Sequence, residues 1–175
     1  MRLLGLDPGL QRTGWGLIEA HGNGLRFLAA GVVTTEPAHD LASRLDTLYR
    51  GLQEVVARHR PDVAAVEETV VNVNAESSLK LGHARGVVLL AAAHAGLDVT
   101  EYAAKTVKRA VVGTGAAQKR QVAMMVRMLL PGSGRLSGDA ADALAVALCH
   151  AHHHSAQTRL LDALGRAPAA RADGS

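Results

Sequence analysis

A short run of apolar and small residues, Leu3-Leu4-Gly5-Leu6, leads straight into a carboxylate, Asp7, and Pro8-Gly9 then turns the chain. A run of that length closed by a turn signal predicts a buried strand. Asp7 is thereby held at a strand end. An aspartate that bonds its own backbone is the ordinary reading of such a corner. Two other segments give Asp7 more weight: Glu67 follows a second apolar run, and Asp139 with Asp142 opens a late helix. Acids from three distant segments, each at an element end, make a candidate divalent-metal site.

The order of elements predicts an α/β fold. Thr13 to Ala20 and Leu25 to Thr34 read as strands joined through His21-Gly22-Asn23-Gly24, an Asn-Gly hairpin connection, so three antiparallel strands come first. Asp40 caps a helix from about Leu41 to His59, with leucine and valine at helical spacing, and Pro61 stops it. Asp62 to Glu67 is a strand that strand-helix-strand order makes parallel to its predecessor in the sheet. Asn74 caps a helix over about Ala75 to Ala95, ended by Gly96, and Val99 to Tyr102 is a short fifth strand. Helices follow over about Lys105 to Val112, Gln118 to Leu130 and Ser137 to His150. The expected whole is a five-stranded mixed sheet flanked by helices, one domain over 1–154, with a flexible tail over 155–175. Ligands of such sheets bind at strand ends.

Composition sets bounds on function. The 175 residues suffice for one real core. A net charge of +3 permits an acidic partner such as nucleic acid without requiring one. One cysteine, Cys149, excludes an internal disulfide framework and fits a reducing compartment. The start is too briefly apolar for a signal peptide, and no later run spans a bilayer, so a cytoplasmic location is expected. Aromatics are few, which argues against a base-stacking platform.

Asp139 and Asp142 are three apart and share a helix face. Acids in a first helical turn complement the dipole, which accounts for either alone. It does not account for Glu67, which alternation puts on one strand face with Val63 and Ala65, nor for Asp7. Clustered carboxylates are tolerated when cations join them. Oxygen ligands alone suit Mg2+ or Mn2+ better than zinc. Two such ions about 4 Å apart can cleave a phosphodiester.

Several motifs together carry a resemblance. Asp7-Pro8-Gly9 with Thr13-Gly14-Trp15-Gly16, Val66-Glu67-Glu68 leading to Asn74, Leu79-Lys80-Leu81-Gly82-His83-Ala84-Arg85-Gly86, and Asp139-Ala140-Ala141-Asp142-Ala143-Leu144 closely resemble the RuvC family of Holliday junction resolvases. Tyr102-Ala103-Ala104, Val107-Lys108, Val111-Val112-Gly113 and Lys119 ahead of Val122 look like that family too, and the match runs to about His152. The resemblance implies an RNase H-like fold, a homodimer, and paired nicking of four-way DNA junctions. It implies two Mg2+ ions per site, with Mn2+ as a substitute, and delivery of the junction by a branch-migration helicase. Asp7, Glu67, Asp139 and Asp142 match the family's catalytic, metal-binding acids. Lys108, Lys119, Lys80 and Arg85 fall at positions expected to face DNA, while Lys105, Arg109, Arg120 and Arg127 read as solvated helix faces. Glu68 points away from Glu67 on a continuing strand and stays outside the set.

Two positions depart from the family pattern. Val70 and Val73 stand where many members have an aromatic and a lysine, and valine cannot stack on an opened base. Gly82 and Gly86 lie one turn apart on a helix and allow close approach, either of the sheet or of a second copy. His150, His152, His153 and His154 follow the last helix in this reading, where they meet its dipole without the fixed geometry of a zinc site. Three rivals share some features. A ribosomal-RNA-processing nuclease of the superfamily shares the opening but lacks the Lys80 to Gly86 run, an actin-like ATPase needs two lobes, and a junction-binding scaffold has no use for the acids.

Overall fold

The structure, a computed structural model, describes residues 1–22, 24–68 and 74–165. Val70 and Val73 lie outside the described residues. Ten elements follow in order: β1 (Arg2–Asp7), β2 (Arg12–His21), β3 (Gly24–Thr34), α1 (Leu41–His59), β4 (Val63–Glu68), α2 (Ala75–His94), β5 (Asp98–Ala103), α3 (Ala104–Val112), α4 (Lys119–Leu129) and α5 (Gly138–Ala163). The expected caps are present. The Asp40 side chain accepts from the Ser43 N–H, and the Asn74 side chain accepts from the N–H groups of Glu76 and Ser77.

The strands form one sheet in the order β3-β2-β1-β4-β5. β1 pairs antiparallel with β2, and β2 with β3; β4 pairs parallel with β1 and with β5. The chain after α1 thus returns to the centre, beside β1, and not to the open edge of β3.

Strand alternation divides the side chains between two cores. Leu4, Leu6, Leu17, Ala64 and Val66 pack with α1 and α2 on one face. Leu3, Ile18 and Ala65 pack with α3, α4 and α5 on the other. By the same alternation Asp7 follows Leu3 and Gly5 onto the α5 face, and Glu67 follows Ala65.

α5 lies directly on the strands because glycines make room for it. A Cβ at Gly5 would fall 2.0 Å from the Ala143 carbonyl oxygen, and one at Gly14 2.0 Å from that of Asp139. The helix answers with small residues, Ala140, Ala143 and Ala147, all buried. It is covered from outside by α3 and α4.

Three expectations are corrected. The tail expected from Ser155 is helical as far as Ala163, because 151–163 contains neither glycine nor proline to end α5. For the same reason His150, His152, His153 and His154 sit within α5, not after it. Gly82 and Gly86 do not serve packing on the sheet, since an added Cβ at either meets nothing within 4 Å. The inward face of α2 is instead Ala84, Val88, Ala91 and Ala92.

Candidate nuclease site

Register brings the first two acids together. Leu6 pairs with Val66 in the parallel β1/β4 ladder, so the next residues, Asp7 and Glu67, end adjacent strands on the same face. α5 adds Asp142 one turn inside its N-terminus, over that end of the sheet. Asp7, Glu67 and Asp142 line one cavity of about 170 Å3, together with Lys108 of α3 and Lys119 of α4. Ala104, Val107, Val122 and Ala145 complete its lining.

The electrostatics are those of crowded carboxylates. Burial, followed by the charges of Glu67 and Asp142, pushes the Asp7 carboxyl up to about 8. Burial and then Asp142 also raise Glu67. The two side chains share a hydrogen bond, which requires a proton between the two carboxyls. Lys119 offsets part of the negative charge: its Nζ donates to Asp142 Oδ2 at 2.9 Å, which raises the lysine. Lys108 acts on Glu67 in the same sense.

Asp139 is held apart from this group. It does not line the cavity. Its Oδ2 instead accepts from Arg12 Nε at 2.7 Å. Arg12 was not anticipated from sequence, although alternation along β2 puts it on the same face as Gly14 and Gly16, toward α5. Among the described residues no three of the acids, histidines and cysteine stand as a ready-made metal-ligand group. The four acids still suit a divalent cation by their chemistry: three converge on one cavity, and all are oxygen donors.

The fold and this site have known counterparts. The family model described as crossover junction endodeoxyribonuclease RuvC matches residues 3–150. The chain belongs to the RuvC family. A RuvC from Acidiphilium cryptum is 61% identical over 159 residues, covering 91% of this chain and 95% of its own. One from Paramagnetospirillum magneticum is 58% identical over 166 residues, covering 95% and 100%. Among solved structures, a T. thermophilus RuvC in complex with Holliday junction substrate has a TM-score of 0.83 at 38% identity, covering 90% of this chain and 97% of that one. The fold is accordingly the RNase H-like fold of RuvC, as expected.

Of the four cations expected to face DNA, Lys108 and Lys119 line this cavity and Lys80 and Arg85 do not. Lys80 of α2 pairs with Glu76 one turn back at 2.6 Å. Arg85 pairs with Glu101 of β5, on the sheet face opposite Asp7 and Glu67. The histidines take part in packing: Tyr102 lies 3.0 Å from His150 Nδ1 and its ring stacks with His153. Burial, followed by the neighbouring His154 and His153, lowers His150. Burial also pushes the Cys149 thiol up to about 11, which removes its reactivity. No helix among the described residues is long and apolar enough to cross a membrane.

Proposed function

We propose that this chain resolves Holliday junctions by paired, symmetric nicks, hydrolysing one phosphodiester in each of two strands during recombination and repair. The observation that carries the reading is the convergence of Asp7, Glu67 and Asp142 on a cavity whose other polar residues are Lys108 and Lys119. Family membership supplies the substrate class, since the T. thermophilus RuvC is described with such a junction.

Asp7, Glu67, Asp139 and Asp142 would hold two Mg2+ ions, or Mn2+ in their stead. Such ions, when bound, activate water and neutralise the departing oxygen of a phosphodiester. The side chains have the complementary tasks. Asp7 and Glu67, fixed on adjacent strand ends, supply rigid oxygens to the cavity wall. The proton between Asp7 and Glu67 has to leave for both to act as ligands. Lys108 and Lys119 draw the phosphate of the strand to be cut, and Lys119 keeps its charge because Asp142 raises it. The expected products are a 5′-phosphate and a 3′-hydroxyl.

Two equivalent cuts need two equivalent sites, which a C2 dimer supplies. α2 offers a surface for one. Leu79 and Leu90, 63% and 58% exposed, stand on one stripe of the helix with Gly82 and Gly86, which face open space. A branch-migration helicase as the supplier of junctions and a cytoplasmic location complete the reading by family likeness.

The test is incubation of the protein and Mg2+ with a synthetic mobile four-way junction, with linear duplex as control. Paired nicks at symmetric positions, sealed by ligase without further processing, are expected. Equal cutting of the linear duplex, or junction binding without cleavage, would overturn the reading.

A further inference from the structure

Each acid of α5 has its own cation, and the two pairs differ in where they leave the carboxylate. Lys119 holds Asp142 at the cavity that Asp7 and Glu67 line. Arg12 holds Asp139 away from it. The contact is enforced by backbone. Gly14, paired with Asp7 across β1 and β2, lets the Asp139 backbone rest on the strand, and Arg12 lies two residues along on the same face. Arg12 and Asp139 side chains are 48% and 34% exposed, so solvent and ligands reach the pair.

Arg12 also borders a second cavity, of about 480 Å3, shared with Gln11, Thr34, Thr35 and His39. These residues offer amide, hydroxyl and imidazole groups. Glu36 lines it too, with one carboxylate oxygen taken by the Ala38 N–H at 3.3 Å. Arg44 reinforces the wall, its Nε donating to the Thr35 hydroxyl at 3.0 Å. One guanidinium thus stands between a catalytic acid and a polar groove fit for a sugar-phosphate backbone.

We propose that Arg12 is a positioning residue that couples cation binding to DNA binding. In the free protein it occupies Asp139. When a strand enters the groove beside it, the guanidinium exchanges the carboxylate for a backbone phosphate. Asp139 is then released to serve a divalent cation. Linkage makes the effect reciprocal: DNA raises the affinity for the cation, and the cation raises the affinity for DNA. The consequence is a site loaded chiefly when substrate is present. This inference rests on the metal-dependent reading above.

The experiment is a Mn2+ titration of the full-length chain followed by electron paramagnetic resonance, which needs no turnover. The parent, Arg12→Gln and Arg12→Lys are each measured alone and with a four-way junction carrying phosphorothioate linkages around the crossover. For an exposed ion pair the competing effect is about two- to fivefold. Arg12→Gln alone therefore binds Mn2+ tighter than the parent by that factor, and Arg12→Lys lies between them. Adding the junction tightens Mn2+ binding to the parent by a similar factor and changes Arg12→Gln little. Unchanged or weaker Mn2+ binding by Arg12→Gln without DNA overturns the coupling, as does equal tightening by DNA in the parent and that variant. Failure of the parent to bind Mn2+ under any condition overturns the metal-dependent reading, and the coupling with it.

Discussion

Asp7 and Glu67 end adjacent parallel strands side by side, and the hydrogen bond between their buried carboxyls requires one shared proton. That relationship ties stability to pH in the metal-free protein. Asp7 titrates near 8 in the fold, against about 3.9 in an unfolded chain. Between those values the folded state holds a proton that the unfolded state has released, so stability falls as pH rises through the interval. Asparagine keeps a donor toward Glu67 and has no charge to bury. With chelator present, Asp7→Asn melts a few degrees above the parent at pH 8.5, on the order of 1–2 kcal/mol, and the gap narrows steadily as pH falls toward about 4. Differential scanning fluorimetry across pH checks it; a parent that is the more stable protein at pH 8.5 contradicts it.

Gly14 and Gly82 separate two uses of glycine. At Gly14 a methyl group would meet the Asp139 carbonyl, and the N-terminal turn of α5 would have to lift. Gly14→Ala is expected to cost about 1–3 kcal/mol in urea unfolding and to slow cleavage. Gly82→Ala meets nothing within the chain and gains helix propensity of up to about 1 kcal/mol. If α2 packs against a second copy, the same substitution weakens self-association in sedimentation runs. Unaltered self-association would remove the α2 surface from the dimer proposal.

Arg85 is expected to act on the fold and Lys108 on DNA. Arg85 and Glu101, both about one-third exposed, bridge α2 and β5. A double-mutant cycle should give a coupling of about 1 kcal/mol, discounted for solvent. Lys108→Gln should leave unfolding unchanged but reduce the salt dependence of junction binding by about one phosphate contact. A reduced salt dependence in Arg85→Gln would return Arg85 to the DNA surface.

Tyr102 is opposite Glu67 in the β4/β5 register and is linked to α5 through His150. Tyr102→Phe removes the hydrogen bond to His150 Nδ1. Equilibrium unfolding at pH 8 should show a loss of about 1 kcal/mol. No loss would mean that water replaces the hydroxyl.

Much of this architecture was legible in the sequence because its signals are local. The Asp40 and Asn74 caps, the stop at Pro61 and the alternation that pairs Glu67 with Ala65 are all decided within a few residues. The family motifs carried the rest of the acid set. What escaped depends on contacts between distant segments. Arg12 meets Asp139 only because Gly14 brings α5 down onto β2. The Arg85–Glu101 pair likewise joins separate segments of the sequence, a helix and the strand that follows it. The end of α5 was misjudged because an Ala-, Arg- and Gly-rich composition suggested a tail, yet no breaker occurs before Gly165.

The most direct test of the central claim is single-turnover cleavage of a four-way junction by Asp7→Asn, Glu67→Gln, Asp139→Asn and Asp142→Asn, each beside the parent and with junction affinity measured separately. The account predicts that every variant loses at least about a hundredfold in cleavage rate, roughly 2.7 kcal/mol of barrier, while still binding the junction. A variant of any of the four that cleaves at the parent's rate would contradict it.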